Sequence, residues 1–295
     1  MTSTHRDPIL VVLQLTGGND CLNTIVPYNN PIYYDNRPNL GIPVEEVLPI
    51  NGDFGFNLAM KPIWDLYNQG KVAVINGIGY PNPNRSHFRS MDIWHTCEPD
   101  QIGKEGWLGR VIRDLDPNGE NVLTGVNFGR GLPRSMALPG IPVASVSELE
   151  TYGVLTGINT QPRRDQALDA FAEMYAPAVG TGPVMDYLGQ TGLEALKGAD
   201  ILSTAPQKYH STVEYSDSPI GRNLQGIAKV LLADLGTRIF NTQHIGYDTH
   251  ANQGLYHLKL WTDISQAITD FYDDLREHNA ADNVLMFVFT EFGRR

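Results

Sequence analysis

Four places in the chain put oxygen and nitrogen donors at or soon after the end of a short apolar run: Asp20, Ser86 with His87, Asp248 with His250, and Glu291. Carboxylates and imidazoles in that mixture suit zinc, manganese or a similar divalent ion. A hydroxyl such as that of Ser86 becomes a nucleophile once a metal or a neighbouring base takes its proton, and His87 beside it is a candidate acid or base. Arg85 could clamp an oxyanion through two parallel hydrogen bonds. Asp248 and His250 stand two apart, a spacing that sends side chains to opposite sides of a regular strand. They face one ion only where the backbone has left strand geometry, and Gly246 just before them permits that.

Each group also has a purely local use, and at this level both uses stay open. Asn19 or Asp20 can close an Asx-turn on its own backbone. Ser86 can cap the helical pattern that follows it, and Asp248 or Thr249 can cap the helix after residue 250. Cys21 either lines a pocket beside Asp20 or packs as a small buried hydrophobe. Arg110, Arg130 and Arg134 are further cations, of a type that is usually solvated. Gly77-Ile-Gly79 lacks a third glycine and is followed by Pro81, which argues against a dinucleotide or kinase phosphate loop.

Strands and helices must alternate to present these groups together. Ile9 to Leu15 is a run of Ile, Leu and Val ending in Gly17-Gly18, the pattern of a strand buried on both faces. A turn-rich excursion follows from Pro27 to Pro49, then a helix over Leu58 to Gln69 and a strand over Val72 to Ile75. The loop Asn76 to Ser90 leads into a helix near Met91 to His95, and another helix covers Trp107 to Leu115. Thr124 to Phe128 and Val143 to Val146 read as short strands. Helices near Arg163 to Tyr175, Met185 to Leu196 and Ile220 to Leu235 form a helical insertion or cap over residues 163–235. Ile239 to Ile245 resumes the strands, Leu255 to His278 is a long amphipathic helix, and Val284 to Phe289 is the last strand. This alternation predicts an α/β fold, a mostly parallel central sheet covered by helices on both faces, with its chemistry in a crevice at the strand C-termini.

The 295 residues carry 33 acidic against 22 basic side chains, a net charge of −11. No basic block compensates, so nucleic acid is not an expected partner. An acidic protein can still take an anionic substrate through a bound metal. No window approaches the ~20 apolar residues of a membrane helix, and Met1 to Pro8 is polar and too short for a signal peptide. Two cysteines, Cys21 and Cys97, are too few for a disulfide scaffold or a cysteine zinc site. With 41% hydrophobic residues the chain can bury a large core, and its unbroken alternation favours one domain over 1–295.

The set Gly17-Gly-Asn-Asp20-Cys-Leu-Asn23, Arg85-Ser-His-Phe88 with Asp92 and Trp94, Gly106-Trp-Leu-Gly-Arg110, Asp248-Thr-His-Ala-Asn-Gln253 and Glu291-Phe-Gly-Arg294 resembles, in order, the bacterial family called domain of unknown function 1501. That family is placed in the alkaline-phosphatase-like and sulfatase-like superfamily of metal-dependent hydrolases and mutases. The resemblance implies an alkaline-phosphatase-like domain in which Asp20, Asp248, His250 and Glu291 hold zinc, manganese or magnesium and Ser86 is the nucleophile. The substrate would be a small anionic phosphate or sulfate ester. Phe292 stands where the superfamily has a ligand His, and the family continues into a Gly-Thr-Asp-His-Gly stretch beyond the last residue here. The chain therefore reads as a C-terminally truncated copy of a longer domain, and a non-catalytic binding or assembly protein with a degenerate metal site is the competing reading. Relatives often carry a twin-arginine leader, so the compartment stays open between cytoplasm and export; the oligomeric state is not legible.

Overall fold

The computed structural model describes residues 7–149, 152, 161–175 and 180–294. In chain order these form β1 (Ile9–Thr16), β2 (Ile25–Val26), α1 (Pro31–Asn36), β3 (Val47–Pro49), β4 (Gly55–Asn57), α2 (Lys61–Asn68), α3 (His87–Thr96), α4 (Trp107–Leu115), β5 (Gly125–Phe128) and β6 (Ala144–Val146). The second half contributes α5 (Gln161–Tyr175), α6 (Pro183–Leu202), α7 (Ala205–Lys208), α8 (Pro219–Leu232), β7 (Ile239–Ile245), α9 (Gln253–Glu277) and β8 (Val284–Thr290). Five strands make one sheet in the order β6-β5-β7-β1-β8, every neighbouring pair parallel. β2, β4 and β3 form a small antiparallel sheet inside the excursion after β1.

β1 sits between β7 and β8, which explains its almost unbroken apolar sequence: a central parallel strand has no solvent face. Its side chains alternate between two cores. Val11, Leu13 and Leu15 join Phe240 and the inward faces of α2, α8 and α9, among them Leu66, Leu224, Ile264 and Phe271. Val12 faces the other way and packs with Ile239, Met136 and the α4 residues Leu108 and Ile112. Helices therefore cover both faces of the sheet. α8 starts where Ser218 accepts a hydrogen bond from Gly221 N and Pro219 occupies the first turn, and its Leu224 and Ile227 are fully buried. Complete burial of such a side chain contributes roughly 1.5–3 kcal/mol, enough to fix the helix on the sheet. Within the stretch read as a helical insertion, α8 thus belongs to the layer over β5 and β7, and α5 and α6 pack on each other. Residues 176–179 of that stretch lie outside the described residues.

The expected strand at Val72 to Ile75 is not formed. Among the described residues this segment pairs with no strand, and Ile75 and Ile78 are largely exposed. The chain leaves from beside the start of β8, where Lys71 Nζ lies 3.4 Å from Asp282, and returns at its end, where His87 meets Glu291. A β-branched run favours extended backbone, but a strand exists only when its N–H and C=O groups find a ladder, and here they find none. The outer edge of β8 correspondingly leaves Leu285 and Phe287 exposed. No helix among the described residues is long and apolar enough to cross a membrane.

The turn after β1 is shaped by two glycines. Gly17 has φ +124°, and a Cβ there would come within 2.2 Å of Asp248 N; Gly18 has φ +73°, with Phe292 Cε2 2.6 Å from its virtual Cβ. Both the conformation and the close approach exclude a side chain. Gly17→Ala is expected to lower stability by about 2–4 kcal/mol and displace the Asp248 loop. Gly119, at φ +64° with nothing within 4 Å, is the control that carries the backbone strain alone. Denaturant midpoints of the two alanine variants measure the difference; equal losses would show that the contact with Asp248 does not matter.

Candidate active site at the strand ends

β8 delivers Glu291 into the protein interior, 1% exposed at its side chain. Its Oε1 accepts from Gly17 N at 2.9 Å and lies 2.8 Å from His87 Nδ1, and Oε2 accepts from Thr290 Oγ1 at 3.1 Å. Trp94 Nε1 donates to the Glu291 carbonyl at 2.7 Å, so α3 is pinned to the end of β8 at both of its ends. His87 is the first residue of α3, and its ring packs 4.7 Å from that of Phe292. Phe292, which stands in place of an expected imidazole, therefore buttresses His87. With Nδ1–H given to Glu291, His87 Nε2 faces Asp248 Oδ1 at 3.5 Å.

β7 ends at Ile245, Gly246 turns the chain at φ +110°, and Asp248 and His250 then point the same way, with Nε2 to Oδ1 at 2.9 Å. Asn252 holds the N-cap position of the helix behind them without a side-chain cap hydrogen bond, and neither Asp248 nor Thr249 serves as its cap. Arg294 also reaches Asp248 Oδ1, at 2.9 Å. Partial burial would raise the Asp248 pKa, but Arg294, His250 and His87 outweigh it and hold the carboxyl below its ordinary value.

Asp20 belongs to a different set of contacts. It is 1% exposed; Oδ1 accepts from Asn23 N at 3.3 Å, and Oδ2 takes Arg37 at 2.5 Å together with Gln253 Nε2. Asp20 therefore caps the 3-10 turn Cys21–Asn23 instead of closing an Asx-turn, and its other oxygen carries an ion pair that Arg37, just after α1, supplies. Gln253 links this set to the Asp248 loop through Thr249 Oγ1 at 3.2 Å. Ser86 occupies the N-cap position of α3 without a side-chain cap hydrogen bond, and Asn84 Oδ1 takes its N–H at 2.8 Å instead. Arg85 and Ser86 are exposed. Cys21 is exposed too, correcting its reading as a buried hydrophobe: Asp20 and Asn23 take the inward positions of that turn.

His87, Asp248 and Glu291 share the wall of a cleft of about 890 Å³ with Arg89, His95 and Arg134. Asp92 holds both arginines, Arg89 by a short ion pair and Arg134 Nε at 2.8 Å, which keeps two guanidinium groups at the cleft. His95 gives Nε2 to Gln14 Oε1 at 2.8 Å, and burial pushes its pKa down to about 4. Sequence reasoning passed over His95, Arg89, Arg37 and Gln14 as site residues. Gln14 was the available signal, a polar side chain in the middle of an otherwise apolar strand.

Residues 80–295 match the family described as Protein of unknown function (DUF1501). The chain belongs to the DUF1501 family. The matched range contains His87, Asp248, His250 and Glu291 and begins after Asp20. No curated protein and no solved structure matches the chain.

Three histidines of this DUF1501 chain, the buried His244 and His257 and the half-buried His95, have pKa values pushed down by desolvation from 6.5 to about 4. Between those values the unfolded chain binds protons that the folded chain refuses, so stability is complete above pH 6.5 and falls as pH drops toward 4. Asp248 adds a second loss lower down, below the ordinary carboxylate value, as its depressed folded pKa is passed. Urea midpoints should hold from pH 7.5 to about 6.5 and then fall down to pH 4.5, and His244→Gln should flatten that fall. A flat wild-type profile over that interval would contradict the burial of neutral imidazoles.

Proposed function

We propose that this protein is a metal-dependent hydrolase or transferase of the alkaline-phosphatase-like kind, acting on small phosphate or sulfate esters. The observation that carries this reading is the Glu291–His87–Asp248–His250 chain of contacts at the C-terminal ends of parallel strands, beside a cleft that also holds Arg89 and Arg134. Two carboxylates and two imidazoles suit zinc or manganese, and the 2.9 Å contact of Asp248 with the 80% exposed His250 is the pair best placed to take an ion. When bound, a divalent ion lowers the pKa of a hydroxyl or water and polarises the ester oxygens.

The chain's own groups divide the remaining work. Glu291 orients His87 through Nδ1, and His87 Nε2 takes the proton of the attacking hydroxyl and returns it to the leaving oxygen. Ser86, whose hydroxyl is free of capping, is the candidate nucleophile, with water as the other. Arg89 and Arg134, held by Asp92, complement the anionic group of the ester, with Arg294 beside Asp248. A non-catalytic binding role is favoured by one observation: the Asp20 carboxylate is already occupied by Arg37 and Gln253.

Aryl phosphate and aryl sulfate hydrolysis with added zinc, manganese or magnesium tests the proposal. His87→Ala should lower kcat by about 10²–10⁴, and Asp248→Ala and His250→Ala should each reduce bound metal. Loss of turnover in Ser86→Ala would assign the nucleophile, and unchanged turnover would assign water. Metal binding without turnover under all three ions would establish the binding-protein reading instead.

A further inference from the structure

The C-terminal turn of α9 gathers a second donor set, remote in sequence from the cleft residues of the first strands. Asp274, Glu277 and His278 each offer one ligand atom, all within 4.8 Å of one another. Asp274 is fully buried, and its Oδ2 accepts from Tyr209 Oη at 2.7 Å and Tyr215 Oη at 2.8 Å. Its Oδ1 is also buried and has no hydrogen-bond donor, although His278 Nδ1 stands 3.3 Å away. A buried carboxylate oxygen without a donor is costly.

His278 presents the matching anomaly. Nε2 lies 2.8 Å from the His210 carbonyl oxygen and Nδ1 lies 2.8 Å from the Asp274 carbonyl oxygen. A neutral imidazole has one N–H and one lone pair. If Nε2–H goes to His210, the Nδ1 lone pair faces two oxygens of Asp274, an arrangement that repels unless a positive charge sits among them. Glu277 brings a further carboxylate, oriented by Ser211 Oγ at 3.2 Å and by Thr212 N and Oγ1 at 3.1 Å. The negative end of the α9 dipole adds to the demand for a cation.

We propose that Asp274, Glu277 and His278 form a divalent metal site, of the zinc or manganese class, that fastens the segment from Tyr209 to Ser216 to α9. One imidazole nitrogen and two carboxylate oxygens are a ligand set for these ions, and the three atoms lie close enough together to surround one ion. The ion supplies the charge that Asp274 Oδ1 and His278 Nδ1 lack. Tyr209 and Tyr215 orient the Asp274 carboxylate from behind, as outer hydrogen bonds do for metal-bound carboxylates. The site is independent of the proposed ester chemistry.

The test titrates zinc into chelator-treated wild-type protein, the Glu277→Gln/His278→Gln variant and the Asp248→Ala/His250→Ala variant, with bound equivalents and Tm as readouts. The expected result is that Glu277→Gln/His278→Gln loses one equivalent of zinc and the part of the Tm rise that goes with it, while Asp248→Ala/His250→Ala loses only the cleft equivalent and keeps that part. Manganese should broaden the amide resonances of Ser211, Thr212 and His278 in the wild-type protein. Equal zinc stoichiometry in wild type and Glu277→Gln/His278→Gln would overturn the proposal. So would a His278 ring that carries protons on both nitrogens and ignores added zinc, because a proton then supplies the charge.

Discussion

A buried carboxylate must find donors, and Glu291 finds them at the end of its own strand and on two other parts of the chain. Its two oxygens hold the N–H of Gly17 after β1, the imidazole of His87 at the start of α3 and the hydroxyl of Thr290 at the end of β8. Losing Gly17 N–H or His87 would strip a donor from a buried charge, so β8, the turn after β1 and the start of α3 are held in one arrangement. The close approach of Gly17 to the backbone of Asp248 adds the end of β7 to the same knot. The orientation of His87 follows from this constraint, and so does the position of the cleft.

Around that point the acidic groups settle into different roles. Asp248, part exposed, collects His250, His87 and Arg294 and remains accessible from the cleft. Asp20, buried, is neutralised by Arg37 and fixes the turn after β1. Asp92 touches neither set and instead pairs Arg89 with Arg134. One acidic chain thus holds two guanidinium groups at the cleft beside a carboxylate and imidazole centre, an arrangement that net charge alone does not reveal.

The neutral histidines are the other side of the same partition. His257 and Trp261 both contact Asn19 Oδ1, at 3.0 and 3.2 Å, and tie α9 to the turn after β1. His244 bonds the Tyr247 hydroxyl at 3.0 Å just before the Asp248 loop. These rings are structural because burial makes their charged form costly. His87, on the cleft wall, and His250, exposed beside Asp248, keep access to solvent and to ligands.

The parallel strands β1, β7 and β8, helices α4 and α9 and the α/β class were legible in the amino-acid sequence, because side-chain periodicity and apolar runs are local properties that a strand or helix obeys wherever it is placed. The position of Asp248, His250 and Glu291 beyond strand ends followed from the same local pattern. Val72 to Ile75 shows where that reasoning stops: its residues favour extended backbone, and only the sheet decides whether a ladder receives it. Which carboxylate stays free was also beyond reach of spacing. Asp20 meets Arg37 and Gln253, Glu291 meets Gly17 and His87, and His95 meets Gln14, partners brought together by β1 lying between β7 and β8. Types of chemistry were therefore written in the residues, and the hydrogen bonds that assign a role to each were decided by the tertiary structure, since desolvation and charge pairing depend on neighbours that only folding supplies.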